Sequence, residues 1–275
     1  SCRDEDGIPF TGHAATRAFP VLAAVQPGRL AVAIGGPPQH SGGVPYLGVV
    51  AMLTVLTRAV LLRLGRSAMG STVKASELDD PEFPAAAEQV FDRMAAEVEW
   101  PNQMANQVYL VEMVLPVAAF YTALREQGWD QPDAIRTVHH AFLATGNAQR
   151  QLFILLMRTR LGAGLFLRTL RPNWLGLTPT PSNKWTVTRP QPGTVQIEVS
   201  RCYRFDAFQQ LGTPEVAFIA CYFEGYVMDV SPFIRVTWQG MATGADRCHH
   251  CFELLDRDHR QPVNSDRYLR QPVAS

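Results

Sequence analysis

The sequence predicts an α+β fold: a mostly helical N-terminal part, then a smaller antiparallel sheet packed with one or two helices. Three observations lead there. Apolar residues recur at three- and four-residue spacing through most of residues 46–170. Alternation at period two starts only after the breaker-rich stretches Thr178-Pro179-Thr180-Pro181-Ser182 and Arg189-Pro190-Gln191-Pro192-Gly193. A chain of 275 residues also has material for one large domain or two intimate ones.

The elements follow in order. Residues 1–45, rich in Gly and Pro, read as an irregular arm with a short helix near 14–25. The helical part, 46–175, begins with a helix over 46–65. Asp79-Asp80-Pro81 breaks the chain before a second helix at 84–99, rich in Ala and Glu. A third covers 102–127, where Leu110, Met113, Val114, Val117, Phe120, Tyr121 and Leu124 form one stripe and Pro116 predicts a kink. Gly128 ends it, and Gln131-Pro132-Asp133 opens the next, 132–145. A last helix covers 147–170 and stops at Pro172.

The sheet-and-helix part spans 176–256. Strands are expected at 184–188 and at 195–202, where Val195, Ile197 and Val199 alternate with polar residues. A short helix at 205–211 ends at Gly212, and Thr213-Pro214-Glu215 starts another running to about 229. Residues 233–241 and 247–255 form a hairpin around a turn at 243–246. The polar tail, 257–275, is expected to fray. No internal repeat occurs.

Formal net charge is zero, so nothing in the total suggests nucleic acid. The apolar run at 46–56 is too short to span a bilayer, and Arg58 and Arg63 follow it at helical spacing, so no membrane partner is expected. The flank before it is not basic, which argues against a signal peptide. The five cysteines form no regular disulfide framework, so reduced thiols and a cytoplasmic location are expected. A homo-oligomer through residues 46–64 is an open alternative.

The densest chemistry lies at Cys248-His249-His250-Cys251, two thiols and two imidazoles in a row. On a strand, Cys248 and His250 share one face while His249 and Cys251 share the other. Four ligands split in this way do not hold one metal, and no second ligand pair completes a zinc site, so no metal or cofactor is expected. Cys202 ends the preceding strand, and Cys221 lies on a helix with Glu224 three residues on. Strand, helix and hairpin can thus each bring a thiol to one pocket. A thiolate beside an imidazole is an activated nucleophile, and a carboxylate orients the base or grips a cation. His139-His140 form a second pair, on adjacent helical positions that diverge and cannot chelate together. No P-loop, G-x-G-x-x-G, G-x-S-x-G or H-E-x-x-H occurs.

Several of these motifs carry a likeness. Val199-Ser200-Arg201-Cys202, Leu211-Gly212 before a Glu-bearing helix, Cys221-Tyr222-Phe223-Glu224, and Thr243-Gly244-Ala245-Asp246-Arg247-Cys248 resemble the L-2-amino-thiazoline-4-carboxylic acid hydrolase family. The helix Val114-Leu115-Pro116-Val117-Ala118-Ala119-Phe120-Tyr121 with Gly128-Trp129 is similar to that family's helical half. The likeness covers about residues 100–255. It implies a hydrolase, natural-product pathways included, in which water adds at the C=N carbon of a cyclic amidine. One departure stands out: His249-His250 replace the Asp-Phe that follows the family's cysteine.

On this reading Cys248 or Cys221 attacks a C=N or C=O carbon, His250 moves the proton, and Glu224 binds an amidinium or orients His250. Arg201 or Arg247 holds a substrate carboxylate, and Cys202, Asp246 and His249 line the site. The alternatives are a pathway-specific cyclase or isomerase using the same pocket, and a non-catalytic ligand- or metal-binding protein.

Overall fold

The structure, a computed structural model, describes residues 45–76, 78–177, 183–243, 245–260 and 268. The expected helix at 14–25 lies outside them. The first helix, α1 (Pro45–Ala75), belongs up to Val60 to one compact unit, and from Leu61 to the unit that contains the rest of the described chain. It runs ten residues beyond the expected end. Its apolar density falls after Leu64, but Leu61, Met69, Thr72 and Val73 keep a helical spacing and are buried.

In that second unit, α2 (Phe83–Glu97) packs on the helix that ends at Glu126. The latter is one continuous rod in three parts: α3 (Met104–Tyr109), a π-helical turn (Leu110–Val114) and α4 (Leu115–Glu126). Pro116 explains the middle part. It has no N–H for the carbonyl four residues back, and its ring would press on that turn. The wider π turn places the mismatch just before the proline, where a kink was expected. Among the described residues this rod, Met104–Glu126, is the one helix long and apolar enough to cross a membrane, and it is 72% buried inside the protein.

After α5 (Gln131–Thr145), capped by the Asp130 carboxylate accepting from the Asp133 N–H at 2.8 Å, the single expected helix is two. They are α6 (Asn147–Met157) and α7 (Arg160–Leu177). Thr159 makes the break: its hydroxyl accepts from the Gly162 N–H at 3.1 Å, starting a new helix. Helix α7 also continues through Pro172, which cannot donate to the Arg168 carbonyl. The Arg189 guanidinium donates to that carbonyl instead at 3.4 Å, and to the Leu167 carbonyl at 3.3 Å.

Strands β1 (Lys184–Thr188), β2 (Thr194–Arg201), β3 (Ile234–Gln239) and β4 (Cys248–Leu254) form an antiparallel sheet in the order β1-β2-β4-β3. Helices α8 (Tyr203–Gln210) and α9 (Ala217–Met228) lie between β2 and β3 in sequence. The fold class is therefore the expected α+β. Val195, Ile197 and Val199 of β2 pair with Phe252, His250 and Cys248 of β4, so all six share the buried face of the sheet. Helix α7 covers part of that face, with Phe166 against Phe252. Every residue of α9 is buried or half-buried. The tail does more than fray: Tyr268 is buried, its ring against Tyr222, where a Cβ on Gly225 would lie 2.3 Å from it.

Candidate functional site

Three separately folded elements bring their thiols to one enclosed cavity. Cys202 comes from the end of β2, Cys221 from α9 and Cys248 from the start of β4. Glu224 and His250 line the same cavity. Cys248 and His250 both point inward from β4, as strand alternation requires, while His249 is exposed on the opposite face. All three cavity thiols are free. Cys251 is disulfide-bonded, which corrects the expectation of wholly reduced cysteines.

Arg204 was not foreseen. It sits on α8, where Ala207, Phe208 and Leu211 follow at three-, four- and seven-residue spacing, so it stands within an apolar stripe. A charge in register with a buried stripe was the available sequence signal. Its guanidinium meets the Glu224 carboxylate at 2.5 Å, with side chains 10% and 16% exposed, and lies over the Tyr109 ring at 4.8 Å. Asn183 fixes the start of α8: its side-chain oxygen accepts from the Tyr203 N–H at 2.9 Å, and its amide donates to buried Asn106 at 3.3 Å. Asn183 and Trp185 also line the cavity.

The electrostatics favour neutral thiols and a neutral imidazole. Burial pushes the Cys248 thiol up to about 11, against the Met241 N–H that donates to its sulfur at 3.3 Å. Burial also raises Cys221 well above its ordinary value. Burial, then the positive charge of Arg204, lowers His250 to about 3. Proton transfer from Cys248 to His250 in the closed site is thus uphill by roughly eight pKa units, on the order of 10 kcal/mol before their mutual attraction. No thiolate–imidazolium pair stands ready. The pair that does carry charge is Arg204–Glu224: burial opposes the guanidinium's charge, and the carboxylate outweighs it.

The cavity measures about 10 Å³, room for about one water. The expected carboxylate-binding residues are elsewhere. Arg201 pairs with Asp206 at 3.0 Å on the surface, and Arg247 pairs with Glu198. Asp246, Arg247 and His249 line an open surface cleft of about 540 Å³ with Glu198, His249 lying 3.9 Å from that carboxylate. Both arginines are exposed at strand ends, and neither lines the thiol cavity. Among the described residues no group of three or more His, Cys, Asp and Glu is placed to hold a metal ion. His139 is buried in α5 with its ring edge-on to Phe218 and Tyr222, while His140 is exposed. Burial, then His140, lowers His139 to about 4.

No family model and no curated protein sequence matches the chain. Two solved structures align along most of it. One is an H-NOX protein from S. oneidensis in the Fe(II)NO ligation state, 13% identical, covering 68% of this chain and 99% of that one, with a TM-score of 0.27. The other is an Fe(II) unliganded H-NOX protein from K. algicida, 11% identical, covering 69% and 97%, with a TM-score of 0.26.

Proposed function

We propose that the protein is an enzyme of small-molecule metabolism that hydrolyses a cyclic amidine, with the three-thiol cavity as its site. One observation carries the reading: thiols from a strand end, a helix and a hairpin converge with a buried Arg–Glu pair and an imidazole. The likeness of these cysteine-bearing segments to 2-amino-thiazoline-4-carboxylate hydrolases supplies the substrate class.

The chemistry is written for a protonated 2-amino-thiazoline. The cation enters beside Glu224 and favours the thiolate of Cys248 by its charge, offsetting the cost that burial imposes. Cys248 sulfur adds to the amidinium carbon while His250 takes the thiol proton. The ring C–S bond breaks, and His250 returns the proton to the departing sulfur, leaving an isothiouronium on Cys248. Water then adds to that carbon and the Cys248–carbon bond breaks. Cys248 regains a proton, the N-carbamoyl product leaves, and the proton of the original amidinium is released. Arg204 holds Glu224 in place and shares its carboxylate with the substrate cation.

A cavity this small requires α8 or the hairpin to move outward for substrate to enter. The enclosed site also favours a second reading, a ring-closing or isomerising enzyme that keeps water away. Incubation with 2-amino-thiazoline-4-carboxylate in ¹⁸O-labelled water separates the two. Hydrolysis releases a free thiol and places one labelled oxygen in the product. An unlabelled isomer supports the second reading, and unchanged substrate removes the first.

A further inference from the structure

The net charge of zero conceals a segregation. Between Asp133 and Glu198 lie 64 residues without one Asp or Glu, and they carry seven Arg and one Lys, a formal charge of +8. The remainder of the chain carries the balancing −8. Helices α6 and α7 occupy the middle of this stretch and pack on each other.

The two helices also hold five of the large apolar side chains that stand exposed. Leu152, Leu155 and Leu156 on α6 are 54%, 55% and 58% exposed, and Leu161 and Leu165 on α7 are 81% and 56% exposed. Their placement is regular. On α7, Ala163, Leu167 and Leu170 are buried, while Leu161, Leu165 and exposed Arg168 follow one another at four and three residues on the outward side. On α6, Leu152, Leu155 and Leu156 share one side, and Met157 is buried. Exposed Arg158 and Arg160 join the helices, and exposed Arg189 lies against the α7 backbone. Arg160 has a carboxylate neighbour, Asp256 at 3.2 Å.

We propose that the outward side of the α6–α7 hairpin docks on an anionic phospholipid surface, its leucines entering the headgroup–acyl boundary and its arginines pairing with headgroup phosphates. Outward leucines bordered by arginine, with no acidic residue on either helix, are the pattern of an interfacial amphipathic segment. A two-fold contact between copies through this face would set Arg158 and Arg168 of one copy against those of the other, with no acidic residue on either helix to answer them, which disfavours a second copy. A nucleic acid satisfies the arginines but leaves five leucines in water. Surface docking needs no spanning segment, so the shortness of the apolar runs does not bear on it.

Co-sedimentation of the full chain with phosphatidylcholine vesicles, with and without phosphatidylglycerol, tests this at low and high salt. Binding should rise about tenfold or more with the anionic lipid and fall with salt. L155Q/L156Q/L161Q and R158Q/R168Q should each reduce it about tenfold, with unchanged circular dichroism because every changed residue is exposed. No preference for anionic vesicles overturns the proposal, as does undiminished binding by the leucine variant. Concentration-dependent self-association lost in the leucine variant, without vesicle binding, assigns the face to a second copy instead. Uptake of duplex RNA that ignores the leucine changes, again without vesicle binding, assigns it to nucleic acid.

Discussion

Cutting the Arg204–Glu224 pair from one side should be among the most damaging single changes in the sheet-and-helix part. The side chains are 10% and 16% exposed and 2.5 Å apart. Arg204→Met leaves a buried carboxylate without its cation, and Glu224→Leu leaves a guanidinium against the Tyr109 ring. Breaking a buried pair in this way costs about 3–5 kcal/mol. The double variant Arg204→Met/Glu224→Leu removes both charges and restores apolar packing, so it should lie within about 2 kcal/mol of the parent. The coupling energy of the cycle is then about 4 kcal/mol or more in favour of the pair. Urea unfolding followed by far-UV circular dichroism reads all four proteins, with an unchanged m-value as the control. Single-variant losses below about 1 kcal/mol, as for an exposed ion pair, would refute the reasoning.

Acid should destabilise the fold in a defined window. His250 and His139 fall from 6.5 to about 3 and about 4. The unfolded chain therefore takes up two protons below pH 6.5 that the folded protein refuses. Stability present above pH 6.5 is lost as pH falls, at about 2.7 kcal/mol per pH unit down to about 4 and half that slope to about 3. His250→Gln should lower the first slope by about half, and an unchanged slope in a pH series of urea titrations contradicts the assignment. Cys248 lies two pKa units above its ordinary value, so its alkylation by iodoacetamide at pH 8 should be about a hundredfold slower than that of a free thiol. Labelling at the free-thiol rate, located by peptide mass, would count against a closed, neutral site. Gly65→Ala should lower Tm, because its Cβ would stand 2.6 Å from Phe91 Cζ and 2.7 Å from the Val111 carbonyl oxygen. Overpacking of about 1–3 kcal/mol exceeds the helix-propensity gain of about 1 kcal/mol, and a raised Tm would reverse that balance.

Where local pattern and tertiary packing agree, the sequence was readable. Val195, Ile197 and Val199 gave β2, and the same alternation put Cys248 and His250 inward and His249 outward. The sequence places Cys202, Cys221 and Cys248 on three elements, and it is the fold that brings them to one cavity. The misses arose where a distant group decided the local outcome. Pro172 reads as a helix stop, but the Arg189 guanidinium, brought alongside by the fold, donates to the Arg168 carbonyl that the proline leaves free. Thr159 breaks a helix whose apolar spacing runs through it. Arg201 and Arg247 neighbour the cysteines in sequence, but both are exposed and pair with Asp206 and Glu198. Arg204, on the apolar stripe of α8, reaches the thiols.

The central claim, that the three-thiol cavity hydrolyses a cyclic amidine through Cys248, rests most directly on one comparison. The release of free thiol from 2-amino-thiazoline-4-carboxylate is measured for the parent and for Cys248→Ser, with both confirmed folded. The expected result is turnover by the parent and loss of about a thousandfold or more in the variant, the weaker nucleophile being unable to form the intermediate. Equal rates in the two proteins would contradict the account.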